Sequence, residues 1–135
     1  VSTTLVDSNV LIDIITDDPT WADWSVGHLD AAALLGPVVI NDIIYAEVSV
    51  RMPTIEDLDA ILTETAISLS AIPRSALFLA GKAFARYRAA GGTRTGVLAD
   101  FFIGAHATVM DWALLTRDSG RFATYFPRLR LVTPP

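Results

Sequence analysis

The sequence predicts an α/β fold around a mainly parallel sheet, and two observations carry that expectation. Short apolar runs alternate with longer segments of helical period. In addition, 52% of the 135 residues are hydrophobic, enough for one real core over residues 1–135 as a single domain. No repeat or low-complexity tract interrupts the pattern.

Taken in order, residues 3–6 read as the first strand and residues 9–15 as a helix ending near Asp17-Asp18-Pro19. Residues 21–35 have the spacing of an amphipathic helix, with Trp24, His28 or Leu29, Ala32 and Leu35 near one stripe. Gly36-Pro37 breaks that helix before Val38-Val39-Ile40, a compact run expected to be a buried strand. Asn41 or Asp42 can cap the next helix, which carries Glu47. Thr54-Ile55-Glu56-Asp57 has capping-box spacing with Asp in place of Glu, so another helix is expected from Thr54. Residues 66–69 make a third strand, 74–90 a long helix and 91–96 a loop. The helix carrying Asp100, a strand at 113–115, a short helix at 119–125 and a last strand at 129–132 complete the chain.

The composition excludes several classes of protein. Cysteine is absent, which removes disulfides, thiolate nucleophiles and zinc-thiolate sites together. No apolar stretch approaches the roughly 20 residues of a membrane span, and no secretion signal opens the chain. A cytoplasmic protein with no membrane partner is the expectation. There is no P-loop, and the one lysine, Lys82, falls inside an expected helix. The net charge of -5 conceals an asymmetry: residues 1–64 hold twelve acids and one base (Arg51), whereas residues 65–135 hold nine bases and three acids. Eight of those nine bases are arginine, the side chain suited to bidentate contact with phosphate or carboxylate. A solvated basic surface is the plain alternative.

Four carboxylates stand where an apolar pattern has little use for them. Asp7 ends the first apolar run and Asp118 follows the run at 113–115, while Glu47 and Asp100 interrupt apolar helices. A carboxylate at the edge of a core is costly unless something cationic meets it. In an open parallel sheet ligands gather beyond the carboxyl ends of the strands, where Asp7 and Asp118 fall. For Asp100 and Asp42 the plain reading is a first-turn acid that stabilises its helix. Glu47 lies too far into its helix for that reading. Gly104 and Ala107 share the helical face of Asp100 and are expected to leave room above it for a metal, water and a phosphate. Asp111 stands about 16 Å along the axis from Asp100, too far to share an ion, and reads as a helix-end residue. The other acids, Asp13 among them, fit exposed faces or caps, and His106 reads as a packing residue. An all-oxygen donor set suits Mg2+ or Mn2+, which commonly serve phosphoryl chemistry.

Four blocks then carry a resemblance. Leu5-Val6-Asp7-Ser8-Asn9-Val10-Leu11-Ile12-Asp13, the helix with Glu47, Ala99-Asp100-Phe101-Phe102-Ile103-Gly104-Ala105-His106-Ala107, and Leu115-Thr116-Arg117-Asp118 resemble the blocks of PIN domains, most closely the VapC-type toxins of bacterial toxin–antitoxin modules. The resemblance runs from Leu5 to Val132 in the right order. It implies a three-layer α/β/α sandwich and a metal-dependent endoribonuclease. Asp7, Glu47, Asp100 and Asp118 would form the catalytic, metal-binding quartet, with Asp7 and Asp100 the principal ligands of Mg2+ or Mn2+. Ser8, Asn9 and Thr116 would orient ligands or water from behind them. It further implies an RNA substrate, a homodimer and a cognate antitoxin that blocks the site. Arg117, preceding Asp118, is expected to pair with it and loosen its hold on a metal.

Arg94 and Arg121 are the candidate RNA contacts. The same acidic focus would accept an arginine from an inhibitor, whose apolar segment could pack near Trp21 or Trp24, one of the two belonging to the core. Two further readings are a housekeeping RNA-processing PIN nuclease and an inactive PIN-like module that binds RNA or protein. A receiver domain or haloacid-dehalogenase-like phosphatase fits poorly. Asn9 stands where the phosphatase needs its second aspartate, and Thr116-Arg117 where the receiver needs its lysine.

Overall fold

The computed structural model describes residues 2–94 and 96–135; Thr95, within the loop expected at 91–96, lies outside the described residues. The chain runs β1 (Thr4–Val6), α1 (Ser8–Ile15), α2 (Ala22–Leu35), β2 (Val38–Ile40), α3 (Asp42–Ser49), α4 (Ile55–Glu64), β3 (Ile67–Leu69), α5 (Arg74–Ala89), α6 (Leu98–Met110), β4 (Ala113–Leu115), α7 (Gly120–Tyr125) and β5 (Arg130–Val132). The strands form one sheet in the order β3-β2-β1-β4-β5, with every pairing parallel. β1 and β2 are buried along their whole length, as unbroken apolar runs in a parallel sheet require. The edge strands β3 and β5 are more polar and more exposed.

Right-handed crossovers put α1 to α4 on one face, because β1, β2 and β3 succeed one another in one direction. The chain then returns across the sheet through α5 and α6 to β4, and these helices with α7 cover the other face. The result is the expected three-layer α/β/α sandwich. Its core joins Leu5, Val10, Ile40 and Ile44 to Phe101, Ile103, Leu114 and Phe122. No described helix is long and apolar enough to cross a membrane.

Local chemistry explains the boundaries. The Asn41 side chain, rather than that of Asp42, caps α3 by accepting from the Ile44 N–H at 3.0 Å. Thr54 caps α4 by accepting from the Asp57 N–H at 3.1 Å. Asp18 accepts from the Thr20 and Trp21 N–H groups and steers the chain into α2. Asp111 ends α6 in the left-handed region (φ 56), as its reading as a helix-end residue anticipates. The α2 stripe differs from expectation. Ala22, Ser25 and Ala32 make its buried line, while Leu35 is 65% exposed. The last turn of α2 lies beside Ser2, ahead of the sheet, where the Ser2 N–H donates to the Leu35 carbonyl. At Gly36 the backbones pass so closely that a Cβ would strike the Ser2 carbonyl.

This winding fixes where a ligand can sit. The chain moves outward from β1 through β2 to β3 and resumes on the other side of β1 at β4. The crevice between β1 and β4 is therefore the switch point of the sheet, and its mouth lies at the strands' carboxyl ends.

Candidate active site

Asp7 is the first residue beyond β1 and Thr116 the first beyond β4, so both stand in that mouth. Asp7 is only 5% exposed. It caps α1, its Oδ1 accepting from the Ser8 N–H at 2.8 Å, and its Oδ2 accepts from the Thr116 hydroxyl at 2.7 Å. Thr116 Oγ1 in turn accepts from the Asn9 amide at 3.3 Å and from the Asp118 N–H at 3.1 Å. The Asn9 side-chain Oδ1 accepts from the Arg117 N–H at 3.3 Å, which closes the loop after β4 onto α1. Burial pushes the Asp7 carboxyl up from 3.8 to about 6. The Thr116 and Ser8 hydrogen bonds oppose that shift, and the charges of Glu47 and Asp100 add to it.

Glu47 reaches the same place from α3. Its Oε1 accepts from the Ser8 hydroxyl at 3.0 Å, and its proton affinity is raised by burial and by Asp100. Asp100, in the first turn of α6, is raised by burial and by Asp118, although Arg121 of α7 donates to its Oδ2 at 2.5 Å. Asp118 is exposed at the rim, its Oδ1 accepting from the Gly120 N–H at 3.3 Å. Three acids thus face one mouth, with the fourth at its edge. Ser8 and Thr116 hydrogen-bond to them, and Asn9 stands behind Thr116.

Several expectations are corrected. Asp13 is not on an exposed face: it is 2% exposed, and Arg117 grips it rather than Asp118. Arg117 donates from Nε to Oδ2 at 2.6 Å and from Nη2 to Oδ1 at 2.9 Å, and the Ser25 hydroxyl donates to Oδ2 at 2.8 Å. The signal for this pair was available, since Asp13 follows Asn9 by four residues and Val10 by three, on the inward face of α1. Trp21 is half-buried, and its ring lies 5.0 Å from the Arg117 guanidinium. Trp24 packs against the core and stacks on His28. Gly104 opens no space above Asp100. It is buried, and a Cβ there would stand 2.5 Å from Phe126 and 3.1 Å from Phe122, so its bareness admits α7 close to α6. Arg94 is exposed between α5 and α6 and, among the described residues, donates no side-chain hydrogen bond to the four acids.

His106 is buried in α6, as a packing residue should be, and it does more than pack. Its Nδ1 accepts from the Asn41 amide at 3.1 Å, so the amide carbonyl is left to cap α3. Its Nε2 has no partner among the described residues. Burial holds its proton affinity below the usual histidine range. This pair ties the helix of Glu47 to the helix of Asp100.

The donors suit a hard divalent cation: they are carboxylates, no thiol competes, and among the described residues neither Asp7 nor Glu47 forms an ion pair with a basic side chain. Their present spacing does not. Among the described residues no three His, Cys, Asp or Glu side chains are grouped so as to hold a metal ion. Asp100 is taken up by Arg121 and Glu47 by Ser8.

The PIN domain family matches this chain over residues 4–126. The chain belongs to the PIN domain family. Solved structures share the PIN fold over nearly the full length. VapBC2 from Rickettsia felis, bound to a DNA fragment from its promoter, superposes with a TM-score of 0.76 at 19% identity, covering 98% of this chain and 99% of that one. A toxin–antitoxin complex from Klebsiella pneumoniae gives 0.71 at 22% identity, covering 98% of each chain. VapBC-1 from nontypeable Haemophilus influenzae gives 0.70 at 18% identity, covering 97% of each. No curated protein matches by sequence. At these identities the likeness is one of fold, and Asp7, Glu47, Asp100 and Asp118 of this PIN domain rest on their own geometry.

Proposed function

We propose that this PIN domain is a divalent-cation-dependent endoribonuclease and the toxin of a toxin–antitoxin pair. The observation that carries the reading is Asp7: a buried carboxylate at the switch point, coupled to Glu47 and Asp100 and lacking a basic partner among the described residues. Asp7 and Asp100 would hold Mg2+ or Mn2+, with Glu47 and Asp118 contributing directly or through water. When bound, the cation activates water and neutralises charge on the phosphodiester. Thr116 and the Ser8 N–H fix the Asp7 carboxylate, and Asn9 fixes Thr116. Glu47, raised in proton affinity and held by Ser8, is suited to accept a proton at Oε1 or Oε2. Arg94 and Arg121 would meet the RNA backbone.

Partners follow from the same reading. Solved structures of similar fold include a toxin–antitoxin complex and a member of the VapBC family of toxin–antitoxin systems, and the acid-lined mouth suits a basic side chain from a cognate antitoxin. Exposed Leu77 and Phe78 on α5 suit an apolar contact with a second copy. Incubating the purified chain with RNA and Mn2+ tests the activity. Asp7→Asn or Asp100→Asn should each lower cleavage by at least about 100-fold without unfolding the protein. Full activity in either folded variant would sink the proposal.

A further inference from the structure

The proposed cation is not the first claimant on Asp100, because the chain supplies one of its own. Arg121, the second residue of α7, donates from a single guanidinium nitrogen to Asp100 Oδ2 at 2.5 Å. The pair is half-open to solvent, its side chains 20% and 29% exposed. Phe122, next along the chain, is buried against Gly104 of α6 and sets the distance. Arg121 makes no other side-chain hydrogen bond among the described residues, and a long flexible stem holds it there. Asp118, Glu47 and Asp7 all add negative charge around Asp100, more than one guanidinium neutralises.

We infer that Arg121 is an internal counter-ion that competes with a divalent cation for Asp100, and that its release by the cation frees its guanidinium for a substrate phosphate. The inference rests on the cation-dependent reading above. A doubly charged ion gains more from the crowded carboxylates than a singly charged, partly hydrated arginine does. A cation that draws on the Asp100 carboxylate takes up the charge that holds the guanidinium, and among the described residues one hydrogen bond to Oδ2 is all that opposes the release of Arg121. Once released, Arg121 remains tethered at the mouth, where a planar fork of donors matches two phosphate oxygens. Cation and substrate are thereby coupled: the first frees the donor that the second uses. By reciprocity, removing Arg121 raises cation affinity and weakens the help that cation gives to RNA binding.

Calorimetric titration with Mn2+ alone tests the displacement on the intact chain. Arg121→Gln should bind Mn2+ about tenfold more tightly than the wild type. Arg121→Lys, which keeps the charge without the fork, should fall between. Arg94→Gln, which removes one positive charge away from the acids, should match the wild type. In a parallel Mg2+ titration followed by NMR, the Arg121 guanidinium resonance should move in step with the Asp100 carboxyl signal. Equal, measurable Mn2+ affinity in wild type and Arg121→Gln overturns the displacement and leaves the nuclease reading standing. So does a stationary guanidinium resonance while Mg2+ binds. If none of the proteins binds Mn2+, the cation reading itself falls with it.

Discussion

Two arginines four residues apart, Arg117 and Arg121, each meet an aspartate, and the two pairs are physically opposite. Arg117 spends two donors on Asp13, its guanidinium lies beside the Trp21 ring, and the buried carboxylate takes a third hydrogen bond from Ser25. Arg121 spends one donor on Asp100 in a half-open mouth already crowded with negative charge. The first pair is bidentate, reinforced by Ser25, and holds the loop of Thr116 and Asp118 to α1. The second is under-committed. One sequence segment thus contains a lock and a latch, and the number of hydrogen bonds made by each carboxylate separates them.

The largest expected effect breaks the lock. Arg117→Ala would leave the Asp13 carboxylate buried with Ser25 alone, which should cost about 3–5 kcal/mol of stability in urea unfolding. Arg121→Ala, acting on a partly exposed pair, should cost less than about 1 kcal/mol. Similar losses in the two variants would erase the distinction.

Asp7 offers a third case, an acid with no arginine partner among the described residues. Its folded value of about 6 exceeds its ordinary 3.8, so the folded state holds the proton more tightly than the unfolded chain. The stabilising contribution is therefore complete below about pH 3.8 and lost as pH rises through about 6. Asp7→Asn, which keeps a capping oxygen, should stabilise the cation-free protein by about 2–3 kcal/mol at pH 7. That advantage should vanish near pH 4, as thermal unfolding between pH 4 and 8 would reveal. A constant offset across that range would mean that packing, not charge, sets the difference.

The smallest expected effect sharpens the contrast from outside the site. Arg94→Ala should weaken RNA binding a few-fold at low salt, the loss shrinking as salt rises. Its stability should be unchanged, because among the described residues its side chain anchors none of the acids. Unchanged RNA affinity at low salt would return Arg94 to a merely solvated role.

The strands and the positions of Asp7, Glu47 and Asp100 were legible because each breaks an apolar period at a place that the winding of a parallel sheet brings to one mouth. Asp13 was missed because charge alone suggested an exposed face, while its period placed it inward; only the approach of the loop after β4 supplies its partner. Arg117 was assigned to its neighbour in sequence, Asp118, although side chains one residue apart seldom face each other. Gly104 shows a deeper ambiguity. A missing side chain can open a cavity or let two helices touch, and the sequence pattern is the same until Phe122 and Phe126 are in place.

The Asn41–His106 hydrogen bond has a mechanical consequence. Asn41 precedes Glu47 by six residues, and His106 follows Asp100 by six. Each acid therefore sits at the end of a helical arm about 9 Å long, measured from a common pivot. A relative tilt of about 10° at that pivot would change the gap between the carboxylates by about 1.5 Å, given the 1.5 Å rise per residue of each arm. That travel is most of the step from gripping an ion through an intervening water to gripping it directly. The pair, both of its residues fully buried, would then serve as the fulcrum of a pair of tongs.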